Sequence, residues 1–297
     1  MVEIEETFAE AFGAQAVRFL ITADTEELAL ETAQNIIGFG VSMIMCPTEA
    51  GIEGPRPEST PDGRPGVFVS IYAGGKKTAL KELLARLIWV ALPAEGVSVF
   101  DYLENPKEML NVGDKIKALL GDQAVVTTDS RGREGLTIKN GEGSFFINTE
   151  FGVLKGVAGG NLLVYGKDDK SALDAAEKAL EALLTVPAIV ATFPGGLCRS
   201  GSKVGSIKYP FLPASTNHLF CPVLKNEFED SQIDPETNSV IELVLNGLDD
   251  KSLLKAMGLA IKAIKDAPGL NKITAVNFEG KLGKYLLHLK DALASVS

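Results

Sequence analysis

Glu242 stands in the stretch VIELVLNGL, whose other members are almost all apolar. Read as a strand, the stretch puts Val240, Glu242, Val244 and Asn246 on one face and Ile241, Leu243 and Leu245 on the other. Both faces are largely apolar, so the strand is expected to be buried on both sides. A carboxylate there must be paired, open to a cleft, or kept neutral by a raised pKa. Two readings follow: a structural ion pair with an Arg or Lys, or an acid/base group held by a rigid strand. An acid beside backbone N–H donors suits acyl transfer, in which the donors stabilise an oxyanion and the acid protonates a leaving amine.

A second stretch offers such donors. Residues 193–217 read FPGGLCRSGSKVGSIKYPFLPASTN, rich in Gly, Pro and hydroxyls, with only Arg199, Lys203 and Lys208 charged. A loop of this length inside a compact domain is usually functional or disordered. It contains Cys198, which as a nucleophile would need one of the two histidines, His218 or His288, as its base. GLCRSGSK misses the phosphate-loop pattern by one residue, because Ser202 separates Gly201 from Lys203, and Pro210 and Pro213 bar a following helix. GVAGGN at 156–161 precedes a strand instead of following one, the reverse of a dinucleotide-binding turn. Two histidines without HExxH or EF-hand spacing give no reason to expect a metal.

The chain of 297 residues is 45% hydrophobic and 23% charged, the profile of a globular protein long enough for one large or two ordinary domains. Its net charge of −10, with no basic cluster longer than Lys76 and Lys77, argues against nucleic acid and anionic membrane as partners. No apolar run has membrane-spanning length, and the acidic N-terminal residues lack the basic start of a targeting peptide. Cys46, Cys198 and Cys221 stand far apart, so free thiols in a reducing cytoplasm are expected.

Four segments must position these residues, each an apolar strand, a polar turn, an Ala/Leu/Glu/Lys helix and a second apolar strand. They begin at AVRFLITA, VFVSIYA, NLLVYG and VIELVLNGL, and the second strand of the first is taken as VSMIMC. Asp24 or Thr25 can cap the first helix, with Glu26 and Glu27 in its first turn. In the third helix Leu173, Ala176, Leu180 and Leu183 or Leu184 form one apolar face. Two such units in tandem make βαββαβ, so the expected class is α+β, with two ferredoxin-like lobes over residues 1–150 and 151–297. A single doubly wound sheet is the alternative. A glycine-punctuated β segment at 121–144 lies near the lobe boundary. Gly/Pro-rich insertions follow the first and third units, at 46–66 and 193–217.

Several blocks carry a resemblance along the whole chain: ETFAEAF (6–12), IMCPTEAGIE (44–53), TPDGRPG (60–66), GVAGGN (156–161), FPGG (193–196), SGSKVGS (200–206), FLPASTN (211–217) and EGKLG (279–283). On these the sequence resembles the formylmethanofuran:tetrahydromethanopterin formyltransferase family. The resemblance implies an enzyme, an acyltransferase that moves a formyl group from methanofuran to N5 of tetrahydromethanopterin, in methanogenesis or a related one-carbon pathway. It implies two ferredoxin-like lobes, a cytoplasmic homo-oligomer (a tetramer), no metal and no tightly bound cofactor. It gives the acid role to the glutamate of the strand before NGL, here Glu242. Gly195, Gly196, Ser200, Ser202, Lys203, Ser215, Thr216 and Asn217 are then the candidate contacts to the two carriers, with Lys203 facing an acidic tail. Asp62 and Arg64 read instead as a pair bracing the first loop. Two other roles are open: a subunit working only inside a formyltransferase/hydrolase complex, or a non-catalytic pterin-binding paralogue.

The match departs from the family at two places. Ile88, Trp89 and Val90 stand where the family shows Gly-Gln-Cys, and Val276 and Glu279 replace glycines of GNxGGKLG. Side chains there would fill a cleft, Trp89 being otherwise a buried core aromatic.

Overall fold

The computed structural model describes residues 2–121, 124–140, 143–199 and 201–297. In chain order the elements are β1 (Glu3–Ile4), β2 (Phe8–Thr22), α1 (Glu26–Ile37), β3 (Thr48–Ile52), β4 (Gly66–Ala73), α2 (Lys76–Arg86), β5 (Ser98–Asp101), β6 (Glu108–Asn111) and α3 (Gly113–Leu120). Then come β7 (Ala124–Thr128), β8 (Glu134–Asn140), β9 (Gly143–Asn148), β10 (Glu150–Gly166), α4 (Asp169–Leu183), β11 (Ile189–Ala191), β12 (Cys198–Arg199), β13 (Ser202–Val204) and β14 (Ala214–Thr216). The chain ends with β15 (Ser239–Gly247), α5 (Asp250–Ile264), β16 (Leu270–Thr274), β17 (Tyr285–His288) and α6 (Leu289–Ala294). The result is a mixed α+β fold.

Two compact units divide these residues. One takes residues 14–41 and 47–156, the other 1–13, 42–46 and 157–297. These units break between residues 156 and 157, where the sequence reading divided the chain at 150/151, and residues 1–13 and 42–46 group with 157–297.

In the N-terminal unit the sheet runs β5-β2-β4-β3 with every neighbour antiparallel. β9 lies parallel to β5 and continues through β8 to β7, which accounts for the expected β segment at 121–144 except residues 122, 123, 141 and 142, which lie outside the described residues. The helix α1 starts where expected: Thr25 accepts a hydrogen bond from Leu28 N–H, and Glu26 and Glu27 follow in the first turn. One expected strand is wrong. VSMIMC forms a turn closed by Cys46 N–H on Ser42 C=O, and the strand that pairs with β4 is TEAGI, two residues later. The apolar run at 41–46 looked like a strand, but the segment paired with β4 is the less apolar TEAGI, buried from Thr48 to Gly51. Trp89 is also not a core aromatic and fills no buried space. It sits on a π-helical turn, Leu87–Ala91, 76% exposed.

In the C-terminal unit the order is β16-β10-β15-β11 with each of these neighbours antiparallel, and the short β1 adds parallel to β16. Asp168 and Asp249 cap α4 and α5 by accepting from Ser171 and Ser252 N–H, contacts typically worth about 1 kcal/mol each. Both helices cover one sheet face, with Leu162, Val164, Leu243 and Leu245 beneath them. The apolar face of α4 is rotated from the expected one. Ala172, Ala175, Ala176, Ala179 and Leu183 are buried and Leu173 is 42% exposed, because the alanine stripe lets α4 pack closely on α5. The opposite sheet face carries Leu163, Tyr165 and Val240, packed by Phe220, Ile233 and Val276.

Candidate functional site

Glu242 belongs to that second face. Strand alternation puts it beside Val240, and it lies opposite Leu163 of β10 on one side and Cys198 of β12 on the other. The whole of β15 is buried except the half-buried Val244, so both faces are covered as the apolar pattern required. Glu242 is 9% exposed, and burial alone pushes its carboxyl up to about 7. Among the described residues no Lys or Arg pairs with it, which removes the ion-pair reading. A carboxyl poised near neutrality is suited to holding a proton and giving it up during a reaction.

What presses on the carboxyl is glycine. Gly201 stands at φ +70°, and a Cβ built on it would lie 1.9 Å from Glu242 Oε2. Only a residue without a side chain lets the loop backbone come that close. Gly201 C=O in turn accepts from Asn217 N–H at 3.3 Å. Asn217 is buried, and its side-chain oxygen has no partner among the described residues. The segment thus brings the Gly201 backbone against Glu242 and ties it to Asn217.

The other expected contacts divide. β13 and β14 form a two-stranded ribbon in which Ser202 faces Thr216 and Lys203 faces Ser215. Ser202 and Thr216 lie on its exposed side, and Ser215 donates its hydroxyl to Gly205 C=O at 2.8 Å, bracing the ribbon. Lys203 is half-buried and bonded to His218. Gly196, at φ +75°, lies against Leu180, where a Cβ would meet Cδ1 at 2.5 Å. Gly195, at φ +65°, faces open space. Ser200 lies outside the described residues. Cys198 is no nucleophile of a Cys–His pair. Burial and the nearby Glu242 push its thiol up to about 11, His218 spends both ring nitrogens on Lys203 and Asp230, and His288 packs on Phe8. Asp62 and Arg64 do pair, at 2.9 Å, and Arg64 also reaches Asp24 and Ser98, so this cluster braces the loop before β4.

Comparison with known proteins bears on this arrangement. The family model described as formylmethanofuran-tetrahydromethanopterin formyltransferase matches residues 1–138, and the model of its proximal lobe matches residues 143–292. The chain belongs to this family. It is 46% identical over 291 residues to the formylmethanofuran–tetrahydromethanopterin formyltransferase of Methanothermobacter thermautotrophicus and 45% identical to that of Methanothermus fervidus, with 98% of each chain covered in both cases. Among solved structures, the formyltransferase of Methanosarcina barkeri superposes with a TM-score of 0.92 at 41% identity, covering 98% of both chains. A chain of the formyltransferase/hydrolase complex of Methylorubrum extorquens, solved with methylofuran, superposes at 0.91 with 34% identity, covering 98% of this chain and 97% of that one.

Two of the blocks on which the resemblance rests meet around a residue that the sequence reading passed over. Glu10, of ETFAEAF, is 1% exposed and accepts backbone N–H bonds from Phe278 (2.7 Å), Gly280 (2.9 Å), Leu282 (2.6 Å) and Gly283, so the EGKLG loop is wrapped around its carboxylate. Burial raises its pKa, but the four bonds outweigh it and leave the carboxyl below the ordinary range. A carboxylate inside a largely apolar strand was the signal available, the same one that exposed Glu242. The glycine replacements also resolve. Glu279 fills no cleft: it is exposed, ion-paired with Lys281, and held at φ +58°, the left-handed backbone that a glycine serves. Val276 does enter the face that bears Glu242, packing on Leu163, Tyr165 and Val240 while its N–H donates to Asn161 Oδ1 at 2.6 Å.

Proposed function

We propose that this chain is a formyltransferase that moves a formyl group between formylmethanofuran and N5 of tetrahydromethanopterin, with Glu242 as the acid. The observation that carries the proposal is a buried carboxyl, raised to about 7 and without a cationic partner among the described residues, against the glycine backbone of the 193–217 loop. N5 attacks the formamide carbon and the carbonyl oxygen becomes an oxyanion. Protonated Glu242 gives its proton to the methanofuran nitrogen as that C–N bond breaks. The resulting carboxylate takes the proton that N5 must lose, which restores the acid. Gly195, Gly196, Ser200, Ser202, Lys203, Ser215, Thr216 and Asn217 belong to the proposed carrier contacts, and the buried, unpartnered side-chain oxygen of Asn217, whose N–H is bonded to Gly201, supports the last of them best.

The strand orders β5-β2-β4-β3 and β16-β10-β15-β11 support reading both lobes as ferredoxin-like βαββαβ units. The proposal extends to a homotetramer in a reducing cytoplasm, without a bound cofactor. The three free thiols and the apolar side chains of Phe211, Trp89 and Val223, all at least 76% exposed, fit those expectations. The same exposed residues favour a second reading, a subunit of a larger assembly such as the one its Methylorubrum relative is named for. Purified chain should transfer formyl groups in an absorbance assay, and Glu242→Gln should slow it at least about a hundredfold. Equal rates in the two proteins would remove Glu242 from the mechanism. No turnover in either would favour the assembly reading.

A further inference from the structure

The proton-transfer step uses Glu242 and leaves its neighbour across the strand pair, Cys198, without a role. In the β12–β15 register Cys198 stands directly opposite Glu242, and Arg199 stands opposite Ile241. Directly opposed residues of an antiparallel pair send their side chains to the same face, with Cβ atoms about 5 Å apart. The thiol and the carboxyl are therefore side by side, while Arg199 belongs to the other face and is exposed. A second link joins the same groups. Gly201 turns its backbone N–H to the Cys198 sulfur, and it is Gly201 whose missing Cβ leaves room for Glu242 Oε2. Cys198 thus meets the acid across the strand pair and again through the glycine backbone laid over the carboxyl.

Sulfur suits this place for a physical reason. A hydroxyl there would donate to the carboxylate and stabilise its charge. A thiol is a weak donor and a weak acceptor that packs as a small apolar group. It can receive the Gly201 N–H without offering Glu242 a strong hydrogen bond. Burial and the Glu242 charge push the thiol up to about 11, so it adds no charge of its own at neutral pH. The other titratable groups near this face are engaged elsewhere. Tyr165 of β10 lies against Lys272 of β16 and answers to Glu5 and Asp234, and Lys272 pairs with Asp234. From the loop, Lys203 bonds His218, which bonds Asp230. Among the described residues none of these shifts Glu242, whose displacement comes from burial alone.

We propose that Cys198 is a positioning residue for the acid: its thiol shields one side of the Glu242 carboxyl from water and anchors the Gly201 backbone that covers it. This deepens the formyl-transfer reading and rests on it for the use of the proton, though not for the state of the carboxyl. A carboxyl given neither water nor a donor is held in its neutral form, the form that can protonate a leaving amine.

The test uses the full chain with Cys198→Ser, Cys198→Ala and Cys198→Val, each made also with Glu242→Gln. The infrared band of the protonated Glu242 carboxyl, recognised as the one lost with Glu242→Gln, is titrated with pH. Formyl transfer is followed over the same range. In Cys198→Ser the carboxyl midpoint should fall by about one pH unit or more, because the new hydroxyl donates to the carboxylate. Cys198→Ala opens room beside the carboxyl and frees Gly201, and should lower the midpoint by about half a unit or more. Cys198→Val restores apolar bulk and should return it to within about a quarter of a unit of the parent. The alkaline fall of kcat should move with the midpoint, so Cys198→Ser should be about tenfold slower than the parent above both midpoints and much less impaired below them. Midpoints unmoved in the serine and alanine variants overturn the role of Cys198 and leave the transferase reading intact. So does a midpoint that falls as far in Cys198→Val as in Cys198→Ala, or a loss of kcat equal at every pH. A midpoint that follows residue 198 in a chain that transfers no formyl group supports the positioning role and overturns the transferase reading. Thermal melting at a pH below every midpoint separates a damaged fold, which lowers it, from a moved proton, which does not. The serine and valine variants stay close in size to cysteine, so they decide the matter if the alanine variant unfolds.

Discussion

Glu242 should set stability against turnover as a function of pH, and glutamine substitution should make the conflict measurable. Burial raises the carboxyl from 4.5 to about 7. At about 1.4 kcal/mol per pKa unit, holding the ionised form in this place costs about 3 kcal/mol. In the unfolded chain the group releases its proton near its ordinary pKa, whereas the folded chain keeps it until about 7. Between those values the unfolded state binds fewer protons, so stability falls as pH rises. The contribution is complete below the unfolded pKa and gone once pH has passed the folded one. Glu242→Gln has nearly the same shape and no proton to lose. Its melting temperature should equal that of the parent near pH 4.5 and exceed it by about 5 °C at pH 8, taking the usual unfolding entropy for a chain of this length. Calorimetric melting at half-unit steps from pH 4.5 to 8, at constant ionic strength, measures the difference. Formyl transfer in the same samples should fall in the parent by about tenfold per pH unit above the folded pKa, since only the protonated form is the acid, while the variant should be slow throughout. A melting difference that is flat across the range, or a variant less stable than the parent at pH 8, would mean that Glu242 is ionised and paired, and the proposed acid role would go with it.

Other substitutions probe the parts around it. Gly201→Ala sets a methyl group 1.9 Å from Glu242 Oε2 at φ +70°; it should displace the carboxyl, cut turnover by about a hundredfold and cost about 1–3 kcal/mol in urea unfolding. Retained turnover would detach the loop from the acid. Glu279→Gly relieves the left-handed backbone at φ +58° and gives up only an exposed ion pair, so denaturant unfolding should show a gain of up to about 1 kcal/mol; a loss would mean the pair with Lys281 matters more than the strain. Glu10→Gln removes the charged acceptor of four backbone N–H groups and should cost about 2–4 kcal/mol, with faster hydrogen exchange at residues 278–283 as its local signature. Because the Glu10 pKa is lowered in the folded state, its contribution in the parent is present above the ordinary glutamate pKa and is lost as pH falls through the folded value, a loss the variant should not show.

The site was partly legible in the sequence because Glu242 breaks a pattern. A carboxylate in an apolar run is anomalous by itself, without any knowledge of its neighbours. The repeat of strand and helix was legible for a related reason, since period and caps are local: Thr25, Asp168 and Asp249 cap where their residue types suggest. Phase was harder than period. In α4 the leucines advertise one face, yet the alanines decide it, because close approach to α5 outweighs the area of Leu173. Strand identity failed at 41–52, where an apolar run lost to a less apolar one that pairs with β4. Contacts across irregular backbone were not legible at all. Lys203, His218 and Asp230 lie 15 and 12 residues apart with no period joining them, and only the folded ribbon brings them together.

Glu10 and Glu242 show why residue type alone under-determines chemistry. Both are glutamates in buried strands of the same unit, 1% and 9% exposed, and both raise the same question in the sequence. Around Glu10 a loop turns four N–H groups inward, so the charge is solvated by backbone and the acid is strengthened. Glu242 meets Leu163, Cys198 and the bare backbone of Gly201, and desolvation weakens the acid. The first is a fixed anion, useful for holding a loop and useless for moving a proton. The second can change charge near neutral pH, and a position that must change charge is the one a fold cannot stabilise in both forms. The stability that Glu242 forfeits at pH 8 and its fitness as an acid are therefore one property, and no substitution at that position should improve either without reducing the other.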